Sequence, residues 1–348
     1  MKWAMVASFA EVHKKYRKKR VSMMHSLTLQ HLRLPMSKGV LGTMNFGDTV
    51  DESLAGKMVE VSLEAGVTML DTANAYSGGA CEEIVGRLIR YRTEDLMIAT
   101  KVGIPHADSE GLAPLSSLAI ERSLEGSVSR LGVEKVDLYY LHAPDRQTDP
   151  KETIETLKRL HDKGMFDAWG FSNYSAWQAL QLIQIADSIG LSRPVLGQQL
   201  YNVISRKIES EYLEFSSEYG LHLMVYNPMA GGLLSGKHKF ESQPESGRFG
   251  SSKLSEMYKK RYWNHQLFDA IESLSSVAAE MEKSLPELAF QWLQSKQSVG
   301  SILLGASTLE QLNQNLSLLE LPQLTVEAVA AIDYSCKALE GPMISYNR

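Results

Sequence analysis

The sequence predicts an α/β protein, a single (β/α)8 TIM barrel, and three observations carry that expectation. From residue 39 onward, eight short β-rich runs alternate with longer amphipathic stretches, and strands alternating with helices make βαβ units and a parallel sheet. The strand-like runs are mostly continuous in apolar character rather than alternating, as in strands covered on both faces. No linker divides the eight pairs, and no G-x-G-x-x-G opens a helix after the first strand, so an open doubly wound sheet lacks its dinucleotide fingerprint. The glycines of "GSVSRLG" (126–132) fall inside a helical stretch and do not supply one.

The expected strands are "GVLG" (39–42), "VTML" (67–70), "LMIAT" (96–100), "VDLYYL" (136–141), "FDAWG" (166–170), "PVLGQQ" (194–199), "LHLMVY" (221–226) and "SILLG" (301–305). Helical periodicity fills 51–65, 81–91, 116–131, 151–163, 174–188, 205–219, 266–295 and 307–318, with a break expected near Pro286. Gly66, Gly132, Gly164, Gly190 and Gly220 stand where helices should stop, and Ser307 or Thr308 is placed to cap the last one. Residues 231–265, rich in Gly, Ser and Lys, form a long loop after strand seven. Loops of that length in compact domains usually carry function.

An apolar fraction of 44% and a charged fraction of 22% belong to a soluble globular chain and exclude disordered and fibrous classes. No run of 18 apolar residues exists, so no spanning helix and no membrane partner are expected. Cys81 and Cys336 form no spacing motif, which argues against a disulfide scaffold and against zinc and suits a reducing cytoplasm. The net charge of −5 is uneven: residues 1–24 carry seven basic residues and one acid, leaving 29 basic against 40 acidic residues in the remainder. The domain is expected at 28–348. The basic segment 1–27 reads as a solvated tail or as the product of an upstream start, since Met23 and Met24 precede the folded pattern. "WAMVASFA" lacks the cleavage pattern of a secretory signal, and the acidic body disfavours a nucleic-acid substrate.

A barrel places its reactive groups at the C-terminal ends of its strands. Asp71 follows the second run, Lys101 the third and His142 the fourth, with Tyr76 in the loop after strand two. Any one of them suits a turn cap, a surface charge or a rim aromatic. Together they suit proton delivery to a carbonyl: tyrosine as acid, lysine stabilising its phenolate and lowering its pKa, aspartate holding lysine, histidine supporting the oxyanion. The set offers no good nucleophile and no metal site, and no paired carboxylates or metal cluster stand at strand ends to serve a hydrolase.

"LDTANAY", "ATKVG", "DLYYLHAPD" and "GFSNY" resemble the signature segments of the aldo-keto reductases over roughly residues 36–348. The resemblance implies NADP(H)-dependent reduction of an aldehyde or ketone, with Asp71, Tyr76, Lys101 and His142 as catalytic tetrad and Tyr76 as proton donor. It implies nicotinamide contacts at Ser172, Asn173, Gln198 and Tyr226, and cofactor contacts at Gly42, Thr43, Asn227, Pro228, Met229, Gly231, Lys237 and Arg248. The adenosine end falls to Gly305, Ser307, Gln311, Gln314 and Asn315, a stretch that equally reads as an ordinary capped helix. Gln311 stands where many relatives carry an arginine, which leaves NAD(H) open. "GTM" (42–44), "YNPMAGGLLSGK" and the ending "SYNR" look most like the aflatoxin aldehyde and succinic semialdehyde reductase branch, whose members tend to be dimers. Substrate selectivity is expected at Met44 and Phe46, the loop at 103–115, the insertion at 231–265 and the tail, and that branch implies a C-terminal tail over the barrel mouth with Arg348 facing a substrate carboxylate. A second reading, a nicotinamide-binding redox sensor, follows from likeness to potassium-channel β subunits.

Overall fold

The computed structural model describes residues 26–90, 94–242, 244–245 and 247–341. Eight parallel strands close into a barrel: β1 (Gly39–Gly42), β2 (Met69–Asp71), β3 (Met97–Val102), β4 (Val136–Leu141), β5 (Phe166–Ser172), β6 (Leu196–Leu200), β7 (His222–Tyr226) and β8 (Val299–Leu304). β8 pairs with both β7 and β1, which completes the ring. The helices are α1 (Glu52–Glu64), α2 (Ala80–Ile89), α3 (Ser117–Leu131), α4 (Pro150–Asp162), α5 (Ala176–Ile189), α6 (Tyr212–Glu218), α7 (Ser255–Tyr262), α8 (His265–Glu280), α9 (Leu285–Ser295), α10 (Leu309–Leu318) and α11 (Val326–Ser335).

Sequence chemistry explains most boundaries. Asp51 caps α1 by accepting from the Leu54 N–H, and Ser284 opens α9 with a capping box to Glu287 just before Pro286. The break expected near Pro286 lies there, between α8 and α9. Thr308, not Ser307, caps α10. Several features differ from expectation, among them α11, which follows the last expected helix at 307–318. The stretch 205–219 divides into a 3₁₀ turn and the short α6. The insertion carries α7, whose buried side chains are only Tyr258 and Tyr262, too few for its charged sequence to show a period. Ser26–Leu27 pairs antiparallel with Met36–Ser37, so ordered pairing begins just before the expected domain start at 28.

Inside the barrel, Val40, Met69, Met97, Ala99, Leu138, Tyr140, Ala168, Leu196 and Met224 form one apolar cluster. Side chains alternate faces along a strand. Two residues on from these inward positions come Asp71 after Met69, Lys101 after Ala99, His142 after Tyr140, Gln198 after Leu196 and Tyr226 after Met224. The apolar layer is therefore roofed by polar residues at the strand ends. Two residues before Met224, at the opposite end, His222 Nε2 lies 2.8 Å from Ser301 Oγ, which donates to the Ser37 carbonyl at 2.9 Å. Nearby, Arg33 bonds Asp137 (2.5 Å), whose other oxygen accepts from the Ile98 N–H at 2.8 Å.

Candidate active site

Lys101 and Asp71 are wholly buried and form a direct ion pair. The Lys101 ammonium also donates to the Thr72 carbonyl at 2.8 Å and to the Tyr76 hydroxyl at 3.2 Å. Asp71 uses its second oxygen to accept from Gln198 Nε2 at 2.9 Å. Every proton of the ammonium thus has a partner, the condition under which burying a charge is tolerable. Tyr76 reaches this point because the chain turns sharply after β2: Ser77, Gly78 and Gly79 all have positive φ (51°, 64° and 96°). Ser77 Oγ fixes that turn by donating to the Phe46 carbonyl at 3.0 Å. The His142 ring stands edge-on to Tyr76, centroids 5.7 Å apart.

The electrostatics follow from burial and charge. Burial is the largest influence and would lower Lys101, but the Asp71 carboxylate and the Tyr76 phenol together outweigh it and hold the ammonium pKa above its ordinary value. Burial raises the Tyr76 phenol; Lys101 pulls the other way without overcoming it. The lowering of Tyr76 expected from sequence is thus one contribution, and desolvation is the larger. Burial, then the Lys101 charge, hold His142 well below the usual imidazole range, so it is neutral at pH 7. Its Nδ1 is buried with no partner among the described residues. The arrangement is a protonated phenol beside a fixed ammonium and a neutral imidazole, able to give up one proton and stabilise what remains.

Beside it, Tyr226 donates to Asn173 Oδ1 at 2.7 Å, and Asn173 Nδ2 donates to the His142 carbonyl (2.9 Å) and to Ser172 Oγ (3.0 Å). Asn173 has φ 66°, which turns it back over the strand end. Gln198 belongs as much to the Asp71 carboxylate as to this group. Asn227, also at φ 66°, accepts from the Gly231 N–H (2.9 Å) and donates to the Tyr262 hydroxyl (3.0 Å). Pro228 is buried and Met229 half-buried beside it, Lys237 is exposed, and the Arg248 guanidinium lies 5.1 Å from the Tyr258 ring centroid. At the β8 end, Gly305 and Gln314 are exposed, Gln311 accepts from the Ser307 N–H at 2.9 Å, and Asn315 donates to the Gly305 carbonyl at 3.3 Å.

Two of the expected residues have structural duties. Thr43, next to Gly42, is wholly buried, and its N–H and hydroxyl both donate to the Asp71 carbonyl at 3.0 Å. Phe46 does not line a pocket: it is 1% exposed and packs in the core between barrel and helices, because the turn after β1 points it inward while Met44 remains half-buried. Arg348 and the tail expected over the mouth lie outside the described residues. Sequence reasoning missed Asn45, which donates to the Ala306 carbonyl at 2.7 Å and ties β1 to the β8 loop, and Asn202, which donates to the Asn227 carbonyl at 2.9 Å. Each stands two or three residues past a strand end, the same signal that marks the tetrad.

Comparison with known proteins gives the family. The model of the aldo/keto reductase family matches residues 40–336. Aflatoxin B1 aldehyde reductase member 2 of Rattus norvegicus is 34% identical over 329 residues, 90% of this chain and 89% of the relative. Aldo-keto reductase family 7 member A3 of Homo sapiens is 34% identical, covering 81% of this chain and 88% of its own length. A probable voltage-gated potassium channel subunit beta of Oryza sativa subsp. japonica is also 34% identical, covering 83% and 89%. With the family model spanning the whole barrel, the chain belongs to the aldo-keto reductase family, whose members are NAD(P)H-dependent oxidoreductases.

Proposed function

We propose that the protein reduces aldehydes or ketones to alcohols with NADPH, with Tyr76 as proton donor. The observation that carries this reading is the unbroken chain Gln198–Asp71–Lys101–Tyr76 with neutral His142 against the phenol. The backbone around it suits a dinucleotide. A side chain added at Gly232 or Gly305 would meet no atom within 4 Å, so both loops are open to close approach by phosphates. Ser172 and Asn173 would hold the carboxamide, the Tyr226 ring would face the nicotinamide, and Lys237 and Arg248 would serve the pyrophosphate. The bound cofactor supplies the hydride.

The remaining chemistry belongs to the chain. The Tyr76 O–H bond breaks as its proton passes to the substrate oxygen. The phenolate left behind sits beside the Lys101 ammonium, which Asp71 fixes in place. His142 orients the carbonyl with an N–H and helps neutralise charge growing on its oxygen. The raised Tyr76 pKa keeps the donor protonated through neutral pH, so reduction should decline only on the alkaline side. Segment 305–318 contains no lysine or arginine, so discrimination for NADPH over NADH is expected to be incomplete.

The test is consumption of NADPH and of NADH against bulky, carboxylated and small aldehydes and a keto sugar. Tyr76→Phe should cost at least about 100-fold in kcat and leave NADPH affinity nearly unchanged. Turnover retained in that variant would overturn the assignment. The likeness to the rice channel subunit supports a second reading, a nicotinamide-binding sensor acting through a partner. Stopped-flow exchange separates the two: rapid release with multiple turnovers indicates the enzyme, near-irreversible retention the sensor.

A further inference from the structure

Below the catalytic turn lies a second, partly buried ionic cluster that the proton transfer does not use. Arg130, in the last turn of α3, donates through Nε to Glu82 Oε2 at 2.8 Å, and through Nη1 and Nη2 to the two oxygens of Asp108 at 3.1 and 2.7 Å. Glu82 is wholly buried, and its other oxygen accepts from the Thr100 hydroxyl. Asp108 Oδ2 also lies 3.0 Å from His106 Nδ1.

The places these partners occupy give the cluster its meaning. Glu82 is in the first turn of α2, which begins directly after the Tyr76–Gly79 turn. Thr100 immediately precedes Lys101 on β3. Asp108 lies in the loop that leaves β3. The stem of Arg130 passes against Gly79: a side chain there would meet Arg130 Cδ at 3.1 Å and Nε at 3.2 Å. Gly126 leaves room for the Asp108 carboxylate, since a side chain at 126 would stand 2.7 Å from it. One guanidinium therefore touches the turn that carries the proton donor, and through one carboxylate the strand that carries the ammonium. The Tyr76–Lys101 hydrogen bond, at 3.2 Å, joins these same two elements.

We propose that Arg130 is a positioning residue: with Glu82 and Asp108 it locks the Tyr76 turn against β3 and so sets the phenol-to-ammonium geometry, and it fixes the 103–115 loop at the barrel mouth. The proposal rests on the role of Tyr76 given above. Guanidinium suits the task because its planar fork binds two carboxylates at once, which a lysine ammonium does in less defined geometry. A misplacement of about 1 Å at a reacting group costs as much as about 100-fold in rate, so loosening the turn reaches the chemistry although Arg130 touches no substrate.

The experiment compares the full-length parent with Arg130→Lys, Arg130→Met and the double variant Glu82→Gln/Arg130→Met. The double variant leaves no charge unpaired at position 82 and is the one to read if Arg130→Met folds poorly. At saturating NADPH and aldehyde, and per NADPH-binding site, Arg130→Met and the double variant should lose about 10- to 100-fold in kcat. Their NADPH affinity should stay within about twofold of the parent, and Arg130→Lys should recover part of the loss. Without substrate, the Tyr76 titration is read as the ultraviolet difference between each protein and its Tyr76→Phe partner. It should move down toward the ordinary phenol value as water reaches the hydroxyl. Folded variants with the parent's kcat per site and an unmoved Tyr76 titration would overturn the proposal. A parent that reduces none of the aldehydes would defeat the reductase reading alone, and the titration would still decide the role of Arg130.

Discussion

At the floor of the barrel, His222 and Ser301 close on each other and on the Ser37 carbonyl, while at the mouth an ammonium and a carboxylate are buried side by side with a phenol and an imidazole around them. Both ends cap the same apolar layer. At the floor the central polar side chains find partners and the histidine is neutral. At the mouth the ion pair is complete, yet His142 Nδ1 and both side-chain polar atoms of Asn74 are buried without a partner among the described residues. A buried polar group left unpaired costs about 1–3 kcal/mol, a cost the floor avoids. On the function proposed above, the difference separates a layer that holds the fold from one whose hydrogen-bonding capacity serves a reacting molecule.

The largest effect is expected from Lys101→Met, which strands the Asp71 carboxylate in the interior. Breaking a buried pair from one side costs about 3–5 kcal/mol, and turnover should fall by at least about 100-fold. Adding Asp71→Asn should return much of the stability, measured by denaturant unfolding, and none of the turnover. Equal recovery of both would dissolve the contrast between the two ends.

The floor responds to pH instead. Burial lowers His222 to about 4 from 6.5, so the folded state resists a proton that the unfolded chain accepts. Stability from this group is complete above pH 6.5 and is lost as pH falls toward 4, by about 3 kcal/mol in all. His222→Gln keeps a hydrogen-bonding group near Ser301 without the titration. It should show a shallower loss of stability than the parent over that range, with unchanged kcat at neutral pH. Parallel stability curves would count against it.

The smallest effect is expected from Asp137→Ala, which removes the acceptor of the Ile98 N–H and the partner of Arg33. Arg33 is about one-third exposed, so the cost should come mainly from the stranded N–H, about 1–3 kcal/mol. NADPH turnover should be unaffected; a kcat loss beyond about twofold would mean that the floor also tunes the chemistry.

The barrel was legible in the sequence because its strands are bracketed by glycines and capped helices, and every expected run overlaps an observed strand. Asp71, Lys101 and His142 were legible for the same reason, as polar residues ending apolar runs. What stayed hidden depends on packing between helices. Arg130 reads as one more charge on an amphipathic helix until α2 lies beside α3, and Gly79 and Gly126 reveal their purpose only when a neighbour fills the space. Phe46, expected in the substrate pocket, packs instead in the core between barrel and helices, a burial that the sequence does not display. Helix α7 was invisible because two buried tyrosines make no period. The net direction of the Tyr76 shift needed the depth of burial, which spacing does not contain.

The closing seam of the ring has a consequence for how the protein is made. Asn45 and Ala306, joined across the β1–β8 boundary, are 261 residues apart in the chain. During synthesis the seven earlier strands leave the ribosome before the one that completes the ring. Contacts so distant in sequence form slowly, and unpaired edges are sticky meanwhile. Yet β2, β3 and β4 are consecutive and pair with one another. The nascent chain therefore holds the strands that lead to Asp71, Lys101 and His142 well before the vessel that encloses them is shut.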